Sequence, residues 1–99
     1  MRLLGQGVLF DAIFATSDMV AIGAMRALHE AGMNIPADVS IVGFDDIAAA
    51  RLSEPPLTTI SQDARLAGET LVDTLIANIE GLAPESVLLP VRLSVRGSS

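Results

Sequence analysis

The stretch that decides the fold is Ile41-Val42-Gly43-Phe44-Asp45-Asp46, an apolar run that ends in a glycine, an aromatic ring and two adjacent carboxylates. A continuous apolar run rich in β-branched residues predicts a strand that is covered on both faces, as in a parallel sheet. Open parallel sheets bind ligands beyond the carboxyl ends of their strands. We therefore predict that Asp45 and Asp46 lie at an edge where a small polar ligand is held.

Strand and helix patterns alternate around this run and predict an α/β fold, with a parallel sheet flanked by helices. The predicted strands cover Asp11–Ala15, Val39–Phe44, Leu57–Ser61, Val87–Leu89 and Val91–Val95, and the predicted helices cover Met19–Ala31, Ile47–Ser53 and Ala64–Glu80. Arg2–Leu4 has the pattern of a helix end whose beginning is absent, and Gly5–Gly7 that of a connection to the first strand. Gly97–Ser99 is predicted to be a loose tail.

Three polar side chains each follow a separate predicted strand: Ser17, Asp45 and Gln62. Because parallel strands end at one edge, we predict that they converge on a small polar ligand. Asp45 is assigned to the ligand, whereas Asp46 is assigned the structural task of capping the turn at Ile47. Other roles stay open, since Ser17 can cap the first helix with the same oxygen and Gln62 can simply precede a helix in solvent.

The adjacent carboxylates of Asp45 and Asp46 also suggest an acid–base pair or a metal site. Neighbouring residues of a strand point to opposite faces, so both carboxylates converge only if the strand has already turned. The single His29 supplies neither a metal cluster nor a triad. The chain has no cysteine and no lysine, which removes thiolate and Schiff-base chemistry. We expect no catalytic residue, no metal and no cofactor.

The first predicted helix has an apolar edge beside the stripe that faces the sheet. The stripe consists of Ala21, Ala24, Leu28 and Ala31. Ile22 and Met25 lie to one side of it with His29, and Arg26 borders them, which is a composition typical of interfaces. The alternative is that Ile22 and Met25 only cover the margin of the sheet.

Composition restricts the partners of the chain. Hydrophobic residues make up 51% of its 99 residues, which is more than so short a chain buries alone. A missing segment or a partner subunit is therefore implied, and the apolar face of the last helix, at Leu71, Leu75 and Ile79, also needs cover. The net charge of −6 argues against nucleic-acid contact by this segment, because phosphate neutralisation dominates that affinity. No apolar run is long enough to cross a membrane, and we expect a cytoplasmic protein.

Three motifs occur in an order that strongly resembles the LacI/GalR family of bacterial transcriptional regulators: Asp11–Gly32, Ile35–Asp46 and Pro55–Gln62, with Leu89–Ser98 at the usual end of the family. The resemblance implies a truncated periplasmic-binding-protein-like type I fold, comprising part of the C-terminal subdomain. Residues 1–99 would then be a single partial effector-binding and dimerisation domain without a DNA-binding headpiece.

The resemblance also implies specific roles for several residues. Asp45, Ser17 and Gln62 would contact a sugar or nucleoside-like effector, and Ser17 stands where the family often has Asn. The implied interface of a homodimer or higher oligomer comprises Ile22, Met25, Arg26, Ala49, Leu52 and Ser53. The protein would not be an enzyme. Two alternatives are a fragment of a periplasmic sugar-binding protein of a transporter and, with less support, a carboxylate-based phosphoryl-transfer enzyme, against which the absence of lysine counts.

Overall fold

A computed structural model describes residues 9–99, so the predictions for Arg2–Leu4 and Gly5–Gly7 lie outside the described residues. The elements in chain order are β1 Ala12–Phe14, α1 Asp18–Glu30, β2 Ser40–Asp45, α2 Ala48–Leu52, β3 Thr58–Gln62, α3 Ala64–Ile79 and β4 Val91–Ser94. The chain divides into two compact units. The first holds the described residues up to Ser61 together with 93–99, and the second is Gln62–Arg92.

The four strands form one sheet in the order β1-β2-β3-β4. β1 is parallel to β2, with Phe14 opposite Val42, and β2 is parallel to β3, with Asp45 opposite Ser61. Parallel neighbours cannot be joined by a tight hairpin, so α1 and α2 serve as the crossover connections. The predicted α/β class with flanking helices is confirmed, and β1, β2 and β3 are its parallel strands, whereas the four-stranded sheet as a whole is mixed.

The core of the first unit forms between α1 and the sheet. Ala21 and Leu28 of α1 are fully buried, as are Ile41 of β2 and Leu57 before β3. Two residues of the predicted helical stripe thus face the sheet. Close approach also explains the glycine in β2, because a Cβ at Gly43 would collide with the carboxylate of Asp18 and lie 2.9 Å from Leu57 Cδ2.

The prediction of a loose tail at Gly97–Ser99 is wrong. Ser98 is fully buried, and its hydroxyl donates to the Ile41 carbonyl oxygen at 2.6 Å while it accepts from the Thr58 N–H at 2.8 Å. The Ile41 N–H in turn donates to the Ser98 carbonyl oxygen at 2.8 Å, and the Ser98 N–H donates to the Pro56 carbonyl oxygen at 3.0 Å. A Gly-Ser-Ser sequence favours a loop locally, but here it satisfies backbone groups of β2 and of the segment that enters β3.

The second unit consists mainly of α3. Asp63 caps this helix, since its carboxylate accepts the Leu66 N–H at 3.0 Å, and Gly81 follows its end with φ +83°, a conformation that suits glycine. No residue of α3 is buried. The exposed large apolar residues of this unit include Leu71, Val72, Leu75, Ile76, Ile79 and Leu82.

The predicted strand at Val87–Leu89 is wrong. This segment has no regular secondary structure, and Leu88 is 98% exposed. An apolar pattern of three residues becomes a strand only when a neighbouring strand pairs with it, and the flanking Pro84 and Pro90 each lack an N–H donor. The observed strand, β4, begins after Pro90.

Candidate ligand-binding site

The carboxyl ends of β1 and β2 bring Ser17 and Asp45 to one edge of the sheet. Phe14 pairs with Val42 in the parallel register. Ser17 follows Phe14 by three residues and Asp45 follows Val42 by three, so both lie just beyond the same end of the paired strands. Ligands of open α/β sheets bind outside this edge. The shared edge was predicted from sequence, while the binding roles of both side chains stay predictions.

Ser17 caps α1, as its residue type predicts. Its hydroxyl oxygen accepts the Val20 N–H at 3.3 Å, and its own backbone is extended, with φ −155°. A serine hydroxyl has one donor hydrogen and two acceptor lone pairs. Capping takes one lone pair, so the hydroxyl hydrogen remains suited to an acceptor oxygen on a ligand.

The backbone turns sharply at Asp45 and Asp46. Asp45 has φ +118° and Asp46 has φ +58°, a region that residues with a side chain rarely adopt. Such conformations cost on the order of 1–3 kcal/mol each and persist where surrounding contacts enforce them. The strand has therefore turned before Asp46. The sequence analysis required such a turn for the carboxylates of Asp45 and Asp46 to lie at one edge.

Asp46 does not cap the turn at Ile47, which corrects the role that sequence assigned to it. α2 begins after Ile47 without a side-chain cap. The Asp46 carboxylate instead accepts from Arg96 Nη2 at 2.8 Å and from the Ser61 hydroxyl at 2.8 Å, and Arg51 lies 3.8 Å away. Asp46 therefore has a structural role, but through Arg96 and Ser61 and not through a helix cap.

The surroundings of Asp46 lower its pKa. Burial by itself raises the pKa, but the hydrogen bonds from Arg96 and Ser61 and the positive charges of Arg96 and Arg51 outweigh this effect. The carboxylate is thus held in its charged form. Its side chain is only 12% exposed, so its carboxylate oxygens accept hydrogen bonds from the protein.

Asp18 is a buried member of this edge that the sequence argument missed. It is fully buried, and its carboxylate accepts the Thr59 hydroxyl at 2.5 Å and the Ile47 N–H at 2.8 Å. From sequence, an acid in the first turn of a helix indicates only a favourable interaction with the helix dipole. The missed signal is the glycine at position 43, since a strand glycine often marks close approach of another group.

Gln62, the third predicted ligand residue, is exposed and is the last residue of β3. It is also the first residue of the second unit. Its place in the site stays a prediction.

Four of the six predicted interface residues line one groove on the first unit, and Ala49 and Leu52 do not. The groove measures about 250 Å³ and is lined by Ile22, Met25, Arg26, His29, Glu30, Ser53 and Glu54. The groove thus lies between α1 and the two residues that follow α2. Ala49 and Leu52 of α2 are exposed. Leu52 is 84% exposed.

The helical pattern places Met25 on the apolar edge beside the stripe, but the structure buries it in the core. Only 3% of Met25 is exposed, and it belongs to the core, against which Ile22 is partly buried. Arg26 is exposed and pairs with Glu30 at 3.3 Å. Met25 thus forms the floor of the groove, and Ile22 and Arg26 supply its accessible side chains.

Within residues 9–99 no three His, Asp or Glu side chains gather as metal ligands would. Over the same residues no helix is long and apolar enough to span a membrane.

Polar side chains at the carboxyl edge of a parallel sheet, as at Ser17 and Asp45, occupy the place where α/β domains bind ligands. The chain belongs to the family of periplasmic binding protein-like domains, which matches residues 3–99, and its relatives are repressors of the LacI/GalR type. It is 44% identical over 97 residues to the lactose operon repressor of Escherichia coli K12, covering 97% of this chain and 27% of that protein.

Solved structures agree with this assignment. The lac repressor dimer bound to operator and the anti-inducer ONPF has a TM-score of 0.90 at 42% identity, over 99% of this chain and 35% of that one. The complex of the regulator CelR with cellobiose has a TM-score of 0.89 at 37% identity, over 99% of this chain and 31% of that one. The chain thus spans about a third or less of these relatives.

Proposed function

We propose that this chain is the C-terminal part of the effector-binding and dimerisation domain of a LacI-type transcription regulator. A small polyhydroxylated effector would bind at the edge formed by Ser17 and Asp45, with Gln62 as a further contact. In the complete regulator, binding at this edge shifts an equilibrium between conformations that differ in operator affinity. Because such a regulator works on DNA in the cell interior, we also propose a cytoplasmic location.

The observation that carries this proposal is the arrangement of Ser17 and Asp45 beyond the paired ends of β1 and β2. A hydroxyl and a carboxylate together accept and donate hydrogen bonds, which suits the hydroxyl groups of a sugar. Relatives support this choice, since CelR is known in complex with cellobiose. The relatives are regulators, and we infer that this chain is likewise not an enzyme.

The groove between α1 and α2 supports a second part of the proposal, a symmetric homodimer. An interface needs accessible apolar groups with a polar rim. Ile22 and Leu52 supply the former, and Arg26 with Ser53 supplies the latter. A related lac repressor is known as a dimer.

A titration of the ¹⁵N-labelled chain with lactose, cellobiose and adenosine tests the site. We expect amide shifts centred on Ser17 and Asp45 for at least one of these ligands, and loss of those shifts in Asp45→Asn. Affinity should be weak, because one sheet edge provides one wall, whereas ligand sites normally bury about 70–90% of the ligand surface. Shifts that avoid this edge would contradict the proposed site, and micromolar affinity would contradict the single-wall argument.

The same proposal excludes DNA binding by this chain alone. With a net charge of −6 and no lysine, the chain cannot neutralise the phosphate backbone. A gel-shift assay with lac-operator DNA at near-physiological salt should show no retarded band. A salt-dependent band from the purified chain would refute this part.

A further inference from the structure

The turn that carries Asp45 is tied to the C-terminal segment through its neighbour Asp46. Both carboxylate oxygens of Asp46 are occupied inside the protein: Oδ1 accepts from Arg96 Nη2 at 2.8 Å, and Oδ2 accepts from the Ser61 hydroxyl at 2.8 Å. Charge-assisted hydrogen bonds of this length are among the stronger ones in proteins. Asp46 is thus a fixed anchor at the residue next to the proposed effector carboxylate.

Arg96 is itself held at several points. Its Nη1 donates to the Leu57 carbonyl oxygen at 2.9 Å, and its backbone N–H donates to Thr58 Oγ1 at 2.7 Å. The Arg96 side chain is 18% exposed, and the buried Ser98 follows two residues later. Because a guanidinium group is a planar set of donors, contacts with Leu57 and Asp46 fix its orientation as well as its position.

The strained backbone needs restraint of this kind. Asp45 and Asp46 both have positive φ, and such geometry lasts only where the surroundings over-determine it. Side chains of β3 also hold the turn: the Asp46 N–H donates to Thr59 Oγ1 at 3.4 Å, and the Ser61 hydroxyl donates to Asp46 Oδ2 at 2.8 Å. Arg96 adds a contact of the same short length that also carries a positive charge.

We infer that Arg96 is a positioning residue for the effector site, which fixes Asp46 and thereby the backbone direction of Asp45. The expected consequence is that a side chain 51 positions away from Asp45 in the sequence sets effector affinity, and this consequence rests on the proposed function. Arg96 does not contact the ligand in this scheme. The rival explanation is an ion pair that adds only stability, and it predicts that the geometry of Asp45 survives loss of the pair.

The test compares Arg96→Met with Arg51→Met in the ¹⁵N-labelled 99-residue chain. Arg51 is the matched control because it also lies near Asp46, at 3.8 Å, but its side chain is 71% exposed and its distance is too long for a hydrogen bond. The first readout is the HN–Hα coupling of Asp45 without ligand, which reports φ. The second is the dissociation constant for whichever of lactose, cellobiose and adenosine shifts the parent chain most.

We expect Arg96→Met to remain folded by circular dichroism, and its HN–Hα coupling at Asp45 to change from the value of the parent, which has a positive φ. The variant should bind the ligand about tenfold more weakly, a loss in affinity that corresponds to one charge-assisted hydrogen bond. Arg51→Met should keep the coupling and stay within about twofold in affinity. Arg96→Lys should restore part of the affinity, because it keeps the charge but not the planar donors. If Arg96→Met fails to fold, the near-isosteric Asp46→Asn gives the same two readouts.

A folded Arg96→Met or Asp46→Asn variant with the coupling of the parent at Asp45 would overturn the inference. Equal loss in Arg96→Met and Arg51→Met would also overturn it, because that result indicates a general charge effect. If none of the three ligands binds the parent chain, the effector proposal loses its support, while the ligand-free coupling still decides whether Arg96 positions Asp45.

Discussion

The two compact units use similar apolar residues in opposite ways. In the first unit Leu28, Ile41 and Leu57 are fully buried, whereas in the second Leu71 is 71% exposed and no residue of α3 is buried. Both helices are capped by an acceptor side chain, Ser17 and Asp63 respectively. What differs is the set of neighbours, since α1 lies on a sheet. The periodicity of a helix thus defines an apolar face, but the neighbouring elements decide whether that face is buried.

The largest effect that tests this comparison is the removal of a leucine from each unit. Leu28→Ala should lower the free energy of unfolding by about 2–5 kcal/mol, because it leaves a cavity beside the sheet. Leu71→Ala, the matched exposed change, should shift it by no more than about 0.5 kcal/mol. Urea denaturation followed by circular dichroism measures both. Equal losses would show that α3 is covered in solution.

Self-association is the second test, because exposed apolar surface in α3 favours a partner. Each large aliphatic side chain that becomes covered gains roughly 1.5–3 kcal/mol. We expect sedimentation at micromolar concentration to show a dimer with some larger species. Leu75→Asp should remove the larger species, and Ile22→Asp should dissociate the dimer that we propose through α1 and α2.

The exposed Met19→Asp of α1 lies outside the groove and is the control for added charge on that helix. A compact, cooperatively folded monomer that is indifferent to Ile22→Asp would refute the interface.

A smaller effect should distinguish the buried Ser98 from the exposed Ser86. Ser98→Ala leaves the buried Thr58 N–H without its side-chain acceptor and should cost about 1–3 kcal/mol. Ser86→Ala in the exposed segment of the second unit should be close to neutral. Thermal unfolding of both variants provides the measurement. A neutral Ser98→Ala would mean that residues 97–99 do not stabilise the sheet.

The smallest effect is the pH dependence that Asp46 contributes. Because its folded pKa is lowered, the stabilisation is complete above the unfolded value of about 3.9 and is lost as pH falls through the folded pKa. The stability difference between the parent chain and Asp46→Asn should therefore be constant near pH 6 and shrink below about pH 4. A difference that does not change down to pH 2.5 would contradict this assignment.

Most of the first unit could be predicted because its signals are local. The alternation of strands and helices gave the α/β class, and Ser17 at the start of α1 gave a cap that the structure contains. The shared edge of Ser17 and Asp45 follows from parallel pairing alone. Each of these needs only a residue type and its near neighbours.

The remaining features depend on residues far apart in the sequence. Asp18 bonds to Thr59, which is 41 positions away, and Asp46 bonds to Arg96, which is 50 positions away. No periodicity within a helix or strand encodes such pairs. The error at Val87–Leu89 has the same origin, because strand formation depends on a partner strand and not on an apolar triplet alone.

The burial of Ser98 has a consequence for the order of events during synthesis. Its hydroxyl bonds to Ile41, made 57 residues earlier, and at about 5–20 residues per second the ribosome needs roughly 3–11 s to cover that interval. During this time β2 has been synthesised without one of its final partners. A nascent chain therefore passes through a stage in which the Ile41 carbonyl oxygen cannot yet accept its hydrogen bond from Ser98.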